Sequence, residues 1–288
     1  MAEFLIKKSQ ELSAQHGQRA WTVASYHAKL DSRLRSQVQQ QWSNDITSIV
    51  CATVAFGMGI NKPDVRFVLH YTLPKSLENY HQEAGRAGRD SREGECIVYY
   101  SYGDSVKIKH MLTESCKENN GAQEPLDRQL ENLNRMRAYC ENQMDCRRIL
   151  LLSYLGENTF NRRWCKQTCD NCAQGGDYVN VDNSDYAQKV VELVRAMRGS
   201  HTLSHVIDVF RGSENAKVRT HRHNSLPAHG SGRKLNKNEC ERLLHRMVLD
   251  GYLLEDTQRL ETYGGVTSTV RVCEPKVAAL MGGRAKVM

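Results

Sequence analysis

Two arginine side chains near one another in the sequence could act on a phosphate group. Residues 82–90 read QEAGRAGRD, in which Arg86 and Arg89 are three positions apart and have glycines beside them. Guanidinium groups hold phosphate oxygens through paired hydrogen bonds, and small neighbours let a ligand approach the backbone. A protein that binds a nucleoside triphosphate should also carry a loop of the form G-x-x-x-x-G-K-[ST]. The 288 residues contain no such loop, so the arginines lack the partner that this chemistry requires.

Four cysteines have the spacing of a metal site. Cys146, Cys165, Cys169 and Cys172 follow the pattern C-x18-C-x3-C-x2-C. A short C-x2-C turn supplies two thiolates from adjacent backbone, and a closed set of four thiolates binds zinc in a structural role. Cys140 is the alternative to Cys146 as the fourth ligand, but the two face different directions on a helix, and Cys146 is preferred. Four unrelated thiols are the remaining alternative.

The other cysteines do not suggest disulfides. Cys51 and Cys96 lie in apolar, strand-like runs and are expected in the core. The short spacings of the cluster indicate metal binding rather than a disulfide framework.

Positive charge is concentrated in one stretch of a chain whose formal net charge is +7. Between residues 211 and 237 there are seven Lys or Arg residues and one acid, Glu214. Three histidines, His221, His223 and His229, lie in the same stretch. Such a segment is either a solvated loop or a surface that follows a phosphate backbone, and the neighbouring elements favour the second interpretation.

The elements that must position these residues alternate in type over the first hundred residues. Extended runs at 21–26, 46–52, 65–71 and 95–101 are separated by helical patterns at 29–42 and 76–87. Strand–helix–strand alternation with short connections predicts a parallel sheet covered by helices.

The rest of the chain predicts two further modules. Residues 103–143 have a helical pattern, and a compact helix starting at Cys146 leads into the cysteine cluster. Helices at about 186–198, 202–211 and 236–250 are followed by two β-like runs around ETYGG, residues 261–265. Three helices and a terminal hairpin from about Leu253 to Val272 predict a winged helix. No run of apolar residues is long enough for a membrane span, and residues 1–12 lack the apolar core of a signal peptide.

The motifs together resemble the RecQ family of DNA helicases, in particular its eukaryotic Bloom-type members. SYHAKL, CATVAFGMGINKPDVRFVLHYTLPKS and YHQEAGRAGRD resemble the second motor lobe of that family. CRRILLLSYLGENTF and CKQTCDNC are similar to its zinc module, and RLLHRMVLDGYLLED is similar to its winged helix. The resemblance covers about residues 1–275. It implies an α/β RecA-like lobe at 1–115, a helical zinc-binding module at 116–180, an α+β winged helix at 181–278 and a tail at 279–288.

The resemblance also assigns roles to the phosphate-binding candidates. It implies that Gln82, Arg86 and Arg89 form a motif that reaches the γ-phosphate of ATP across a cleft, with Arg89 as the arginine finger. The loop around Thr53, Gly57, Gly59 and Asn61 would couple nucleotide binding to DNA. ATP and Mg²⁺ would bind only together with a first lobe, which carries the glycine-rich loop and is absent from these residues.

For DNA, the resemblance implies binding through the winged helix. The basic residues Arg219, Arg222, Arg233 and Lys234 would contact the duplex backbone, and Tyr263 would stack on the terminal base pair at a strand boundary or pack on the wing itself. The implied partners are DNA forks, junctions and single/double-strand boundaries, with no membrane partner, in the nucleus.

One departure from the family pattern bears on the sheet. The family begins this lobe with a strand of the form GIIYC, whereas this chain begins with MAEFLIKKSQEL, which matches only the helix that follows. We therefore expect an incomplete sheet, consistent with an N-terminally truncated lobe.

Three functions fit the sequence. The first is the C-terminal part of an ATP-dependent 3′-to-5′ DNA helicase acting in repair, recombination and replication. The second is a non-catalytic protein that recognises DNA structure through the zinc module and the winged helix. An RNA helicase lobe is disfavoured, because the zinc module and the wing directly follow the motor.

Overall fold

A computed structural model describes residues 1–16, 20–57, 62–119, 121–176, 179–260 and 265–288. The chain divides into two compact units, one of Met1–Leu69 with Gln82–Ile97 and one of His70–His81 with Val98–Met288. None of the described helices combines the length and the apolar composition that crossing a membrane requires.

The first ninety-eight residues form short strands between helices. The elements are α1 (Ala2–His16), β1 (Val23–Tyr26), α2 (Ser32–Ser43), β2 (Ile49–Ala52), β3 (Phe67–His70), α3 (Leu77–Ala84) and β4 (Glu95–Val98).

The second part is mainly helical and ends in a hairpin and a short helix. Its elements are α4 (Tyr102–Glu118), α5 (Gln123–Glu141), α6 (Arg147–Tyr154), α7 (Asp170–Gln174), α8 (Ser184–Ala196), α9 (Leu203–Phe210), α10 (Ala216–Thr220), α11 (Lys237–Leu249), β5 (Leu253–Arg259), β6 (Val266–Val272) and α12 (Glu274–Met281).

The predicted parallel pairing is present in the N-terminal unit. β1 and β2 run parallel, with Val23 opposite Ile49 and Tyr26 opposite Ala52, and α2 forms the crossover between them. Asp31 starts α2 because its carboxylate accepts a hydrogen bond from the Arg33 N–H at 2.8 Å. The α/β prediction for this region is confirmed.

The sheet of this unit is divided. β1 pairs with β2 and β3 pairs with β4, and in the described part of the chain these are separate two-stranded sheets. Tyr26 is the only buried hydrophobic side chain among the described residues of the unit. Cys96 is exposed and Cys51 is half-buried, so the expectation that both are core residues was wrong. A two-stranded sheet covers little of either face, so apolar strand residues such as Phe67 and Leu69 stay exposed.

The winged helix contains the largest core. α8 and α9 pack on one another and on α11, β6 and α12. The start of α11 is fixed by a capping box in which Asn236 and Glu239 satisfy each other's backbone N–H groups. The shared core consists of Ala187, Val190, Val191, Leu193, Val206, Val209, Phe210, Leu244, Met247, Leu253, Val277, Leu280 and other buried residues.

The two strands of the predicted hairpin are confirmed, whereas residues 261–264 of its predicted tip lie outside the described residues. β5 and β6 are antiparallel, with Leu253 opposite Val272 and Arg259 opposite Val266. The sequence did not predict α10 or α12. Leu280 and Val287 are buried in the core, so the segment predicted as a tail packs against the winged helix.

A buried ion pair joins the helical module to the hairpin. Arg137 of α5 and Glu255 of β5 lie 3.4 Å apart with side chains 3% and 1% exposed. The Glu255 carboxylate also accepts hydrogen bonds from the Tyr102 hydroxyl at 2.6 Å and the Ser268 hydroxyl at 3.1 Å. The Arg137 guanidinium lies over the Tyr102 ring, 4.6 Å from its centroid. Burial raises the pKa of Tyr102, which therefore stays a hydrogen-bond donor at neutral pH.

We predict that Glu255→Gln destabilises the chain by about 3 kcal/mol, because it leaves the buried Arg137 guanidinium without a counter-charge. Asp256→Asn is the matched control on the same strand. Its ion pair with Arg271 spans 2.8 Å, but both side chains are more than half exposed, so the loss should stay below about 1 kcal/mol. Urea unfolding measures both, and equal destabilisation by the two variants would contradict the assignment.

We also predict that limited proteolysis of the 288-residue chain removes the N-terminal residues before the rest of the chain. The N-terminal unit has unpaired strand edges and almost no buried apolar side chains among its described residues. Trypsin should first cut within residues 1–100 and leave a fragment from about residue 125 onward, identified by mass spectrometry. Equal protection of the N-terminal residues would show that this unit closes despite its divided sheet.

Candidate functional site

The arginine loop, residues 85–90, follows α3 and turns sharply. Gly88 lies in the left-handed region with φ +67°, and a Cβ there would come within 2.7 Å of the Arg92 carbonyl oxygen. Only glycine adopts this backbone without strain or a clash. The Gly88 N–H donates to the Val65 carbonyl at 3.0 Å, which ties the turn to the segment before β3.

A further arginine, which sequence reasoning missed, clamps this loop. Arg66 donates to the Asp90 carboxylate at 2.6 Å and to the Glu93 carbonyl at 2.8 Å. The hydrogen bond from Arg66 lowers the pKa of Asp90. The Asp90 N–H in turn donates to the Pro63 carbonyl at 3.1 Å. Both ends of the turn are therefore held on the same segment, although no local pattern marks Arg66.

The structure places the candidate phosphate-binding side chains along this turn. Gln82 and Arg89 are exposed and Arg86 is half-buried. The Arg89 Nε–H donates to the Gly85 carbonyl at 3.2 Å. The three side chains thus leave α3 and its following turn from positions fixed by backbone hydrogen bonds.

The second predicted loop starts where β2 ends. The Thr53 N–H donates to the Tyr26 carbonyl at 3.1 Å, and the Thr53 side chain is exposed. Gly57 ends a short 3-10 helix, Val54–Gly57, while Gly59 and Asn61 lie outside the described residues. Phe56 packs edge-on against Tyr26 and Trp42, with ring centroids 4.6 and 5.2 Å away. Phe56 therefore anchors the loop to β1 and α2.

The four predicted cysteines come together in the second unit. The sulfur atoms of Cys146, Cys165, Cys169 and Cys172 all lie within 4.8 Å of one another, and those of Cys146 and Cys169 are 4.0 Å apart. A tetrahedral zinc site with Zn–S bonds of about 2.3 Å has sulfur atoms about 3.8 Å apart, so the cluster fits this ion with small adjustments. Among the described residues, Cys140 is not part of the cluster.

Tight backbone turns and side-chain hydrogen bonds hold the four cysteines in place. Lys166 and Gln167 both have positive φ, 49° and 58°, and turn the chain tightly after Cys165. The Asn171 side-chain amide donates to the Asn142 and Asp145 carbonyls at 3.0 and 2.8 Å. Such an arrangement of strained backbone and hydrogen-bonded neighbours is typical of metal ligand loops.

A two-point ion pair joins the two halves of the cluster. Arg147, next to Cys146, donates from Nε and Nη2 to the two Asp170 oxygens at 2.9 and 3.0 Å. The hydrogen bond from Arg147 lowers the pKa of Asp170, which lies next to Cys169. The sequence did not predict this pair, since the residues are twenty-three positions apart.

The basic stretch forms a loop that returns to α9. Gly230 and Gly232 donate their N–H groups to the Val209 and Phe210 carbonyls at 3.1 and 2.8 Å. A Cβ at Gly232 would overlap the Phe210 ring, so glycine is required for this close approach.

The loop keeps its charges near the surface. Arg219, Arg222, Arg233 and Lys234 are all exposed. Arg219 pairs with Glu214 at 3.2 Å. Arg222 precedes the 3-10 helix His223–Ser225 with φ 55°. The sequence-predicted basic residues therefore share one loop, whereas Tyr263 lies outside the described residues.

Comparisons with known families agree with the order of these modules. The helicase conserved C-terminal domain matches residues 3–91, the RecQ zinc-binding domain residues 102–173 and the RQC domain residues 177–288.

Curated relatives match the chain across these modules. ATP-dependent DNA helicase Q-like 4B of Arabidopsis thaliana is 44% identical over 91% of this chain and 24% of its own length. ATP-dependent helicase SGS1 of Saccharomyces cerevisiae is 38% identical over 98% of this chain and 19% of its own. RecQ-like DNA helicase BLM of Xenopus laevis is 39% identical over 81% of this chain and 18% of its own. The chain thus spans about a fifth of the length of these relatives.

We predict that Cys146→Ser weakens metal binding in the cysteine cluster severely, whereas Cys140→Ser leaves it unchanged. Cobalt substitution measures this directly, because thiolate-bound Co²⁺ has an intense sulfur-to-metal absorption. Removing the metal should also unfold residues 146–172, because coordination contributes folding free energy. Loss of the absorption in the Cys140 variant and its retention in the Cys146 variant would reverse the ligand assignment.

Proposed function

This chain belongs to the RecQ family of helicases, and we propose that it supplies the second motor lobe and the DNA-binding modules of an ATP-dependent 3′-to-5′ DNA helicase. The observation that carries the proposal is the succession, in one chain, of a helicase C-terminal domain, a RecQ zinc-binding domain and an RQC domain. The proposed setting is nuclear DNA repair, recombination and replication, with forks and junctions as substrates.

In the proposed motor, Arg89 and Arg86 stabilise the charge that develops on the transferred phosphoryl group. A guanidinium group stays protonated and can hold two phosphate oxygens, so it stabilises the transition state without a proton transfer. Gln82 orients the attacking water or the phosphate from the end of α3. The Arg66–Asp90 clamp supports this role, because a finger adds rate only when its position is fixed.

ATP and Mg²⁺ would be held by a first lobe that carries the glycine-rich loop. On this side of the cleft, Thr53, Gly57, Gly59 and Asn61 are the residues proposed to couple the nucleotide to the DNA backbone. Thr53 suits this role because its N–H is fixed to β1 while the residue is exposed.

The proposed zinc ion is structural. Its ligands would be Cys146, Cys165, Cys169 and Cys172, a closed set that leaves no position for substrate. Bound there, the ion supplies cross-linking of the start of α6 to the turn before α7. The Arg147–Asp170 pair holds the same two segments from outside.

The basic loop and the hairpin are the proposed DNA interface. Arg219, Arg222, Arg233 and Lys234 would contact phosphates, which gives affinity without sequence preference. Tyr263 would stack on the terminal base pair and favour its opening.

A second candidate function is non-catalytic recognition of DNA structure. It is favoured by one observation, that the 288 residues contain no G-x-x-x-x-G-K-[ST] loop. On this alternative the arginine loop has a structural role only, and the zinc module and the wing bind DNA alone.

We predict that the 288-residue chain has no measurable ATPase activity by itself, because it carries only one side of the nucleotide site. In a longer chain with the glycine-rich loop, Arg89→Ala should lower kcat by about a thousandfold or more. Arg92→Ala, an exposed arginine three residues on, is the control and should leave kcat unchanged. DNA-stimulated hydrolysis by the 288-residue chain would contradict the divided site, and equal effects of the two variants would leave only the binding function.

We predict that Arg219→Ala with Lys234→Ala weakens binding of the 288-residue chain to duplex DNA. The slope of log K against log salt should fall by about one for each lost phosphate contact. Lys189→Ala with Lys286→Ala is the charge-matched control from outside the loop. Fluorescence anisotropy over a salt series measures both, and equal slopes would place the interface elsewhere.

In the longer chain, Tyr263→Ala should slow unwinding without loss of duplex affinity. Unchanged unwinding would leave the hairpin a binding element only.

A further inference from the structure

A second group of metal-ligating side chains lies in the winged helix, apart from the cysteines. His201, His205 and His223 each present a ring nitrogen, and these nitrogens all lie within 4.8 Å of one another. His205 and His223 are 2% and 6% exposed, and His201 is half-buried. Histidine is rarely buried without a partner, so a buried group of three calls for a physical explanation.

The hydrogen bonds of His201 prepare it as a ligand. Its Nε2 lies 2.8 Å from the Arg198 carbonyl oxygen, which can only accept. Nε2 therefore carries the proton, and the lone pair is on Nδ1. Donation of one ring N–H to a backbone carbonyl is the usual arrangement of a metal-binding histidine, because it fixes both tautomer and ring orientation.

His205 and His223 are joined by a direct hydrogen bond between their rings. His205 Nε2 and His223 Nδ1 are 2.9 Å apart and share one proton. Two imidazole ligands of a tetrahedral zinc ion, with Zn–N bonds of about 2.05 Å, have nitrogens about 3.3 Å apart. Replacing the shared proton by a metal thus requires the two nitrogens to separate by about 0.4 Å and the rings to turn so that both lone pairs face the ion.

The other ring nitrogen of His205, Nδ1, lies on the far side of the ring from His223, is buried and has no hydrogen-bond partner in the described part of the chain. The centroid of the exposed His221 ring lies 5.3–5.6 Å from the ring centroids of the other three histidines. His221 therefore marks the side of the group that is open to solvent.

We propose that His201, His205 and His223 form a transition-metal site of the zinc class, with a fourth position open to water beside His221. Three neutral imidazoles suit Zn²⁺ and other borderline divalent ions, and no carboxylate belongs to the group among the described residues. The proposed role is structural, because the three ligands come from α9, the segment just before it and the basic loop, which the ion would hold together.

A metal in this site would hold the basic loop to α9 and to the hairpin. His201 precedes α9, His205 lies in its first turn, and His223 follows α10. The His201 carbonyl also accepts from the Val270 N–H of β6 at 2.9 Å. A metal here would join α9, the basic loop and the wing at one point.

The test uses the full 288-residue chain, stripped with a chelator, reloaded with Zn²⁺ and passed through gel filtration. Metal analysis should find two zinc ions per chain, one in each site. His201→Ala and His223→Ala should each retain one. His229→Ala, whose ring contacts the Ser213 carbonyl outside the cluster, should retain two.

Two further readouts separate loss of the site from loss of folding or of the cysteine site. The parent and the His201 variant should melt at the same temperature in chelator, while added Zn²⁺ should raise the melting temperature further for the parent. A Co²⁺ titration of the parent should show a second ion bound without sulfur-to-metal absorption. One metal per chain in the parent, all of it with that absorption, would overturn the proposal, as would two ions retained by His223→Ala.

Discussion

The buried Glu255 carboxylate is the constraint on which the arrangement of the second unit depends. It lies on the first strand of the wing, yet its partners Arg137 and Tyr102 belong to α5 and α4. The Glu255 side chain is 1% exposed, and a buried carboxylate without partners is strongly destabilising. Its burial therefore requires that Arg137 and Tyr102 stay in contact with it. The hairpin is therefore positioned by the helices that precede the winged helix, and not by its own domain alone.

A chain of contacts extends this constraint to the cysteine cluster. Arg147, beside Cys146, donates to the Tyr139 carbonyl, two residues from Arg137 on α5. The same guanidinium holds Asp170 of the cysteine turn. These contacts connect the cysteine turn to the end of α5, and α5 to the hairpin through Glu255. The cysteine cluster and the hairpin are therefore connected by polar side chains that have two or more partners each.

The sequence predicted local structure well and long-range partners poorly. Strand and helix periodicity, the C-x3-C-x2-C spacing and the turn signal at residues 261–265 all act over a few residues, and they placed β1, β2, α11 and the hairpin correctly. The contacts of Arg66, Arg137 and His205 were not predicted, because their partners are distant in the sequence. Arg137 and Glu255, for example, are 118 positions apart. Cys96 was misassigned because an apolar run indicates a strand but not how many neighbours that strand has.

The basic loop shows how a segment can be fixed while its charges stay in water. Burying apolar side chains from residues 211–237 would draw their seven cationic neighbours toward the core, at a large desolvation cost. The described loop instead returns to α9 through backbone hydrogen bonds at Gly230 and Gly232, with few buried apolar residues such as Val218 and Ala228. Imidazoles are small enough to be buried neutral and still bind one another or a metal. The hydrogen bond between His205 and His223 therefore holds the loop to α9. Apolar packing could do the same only by burying the cationic side chains.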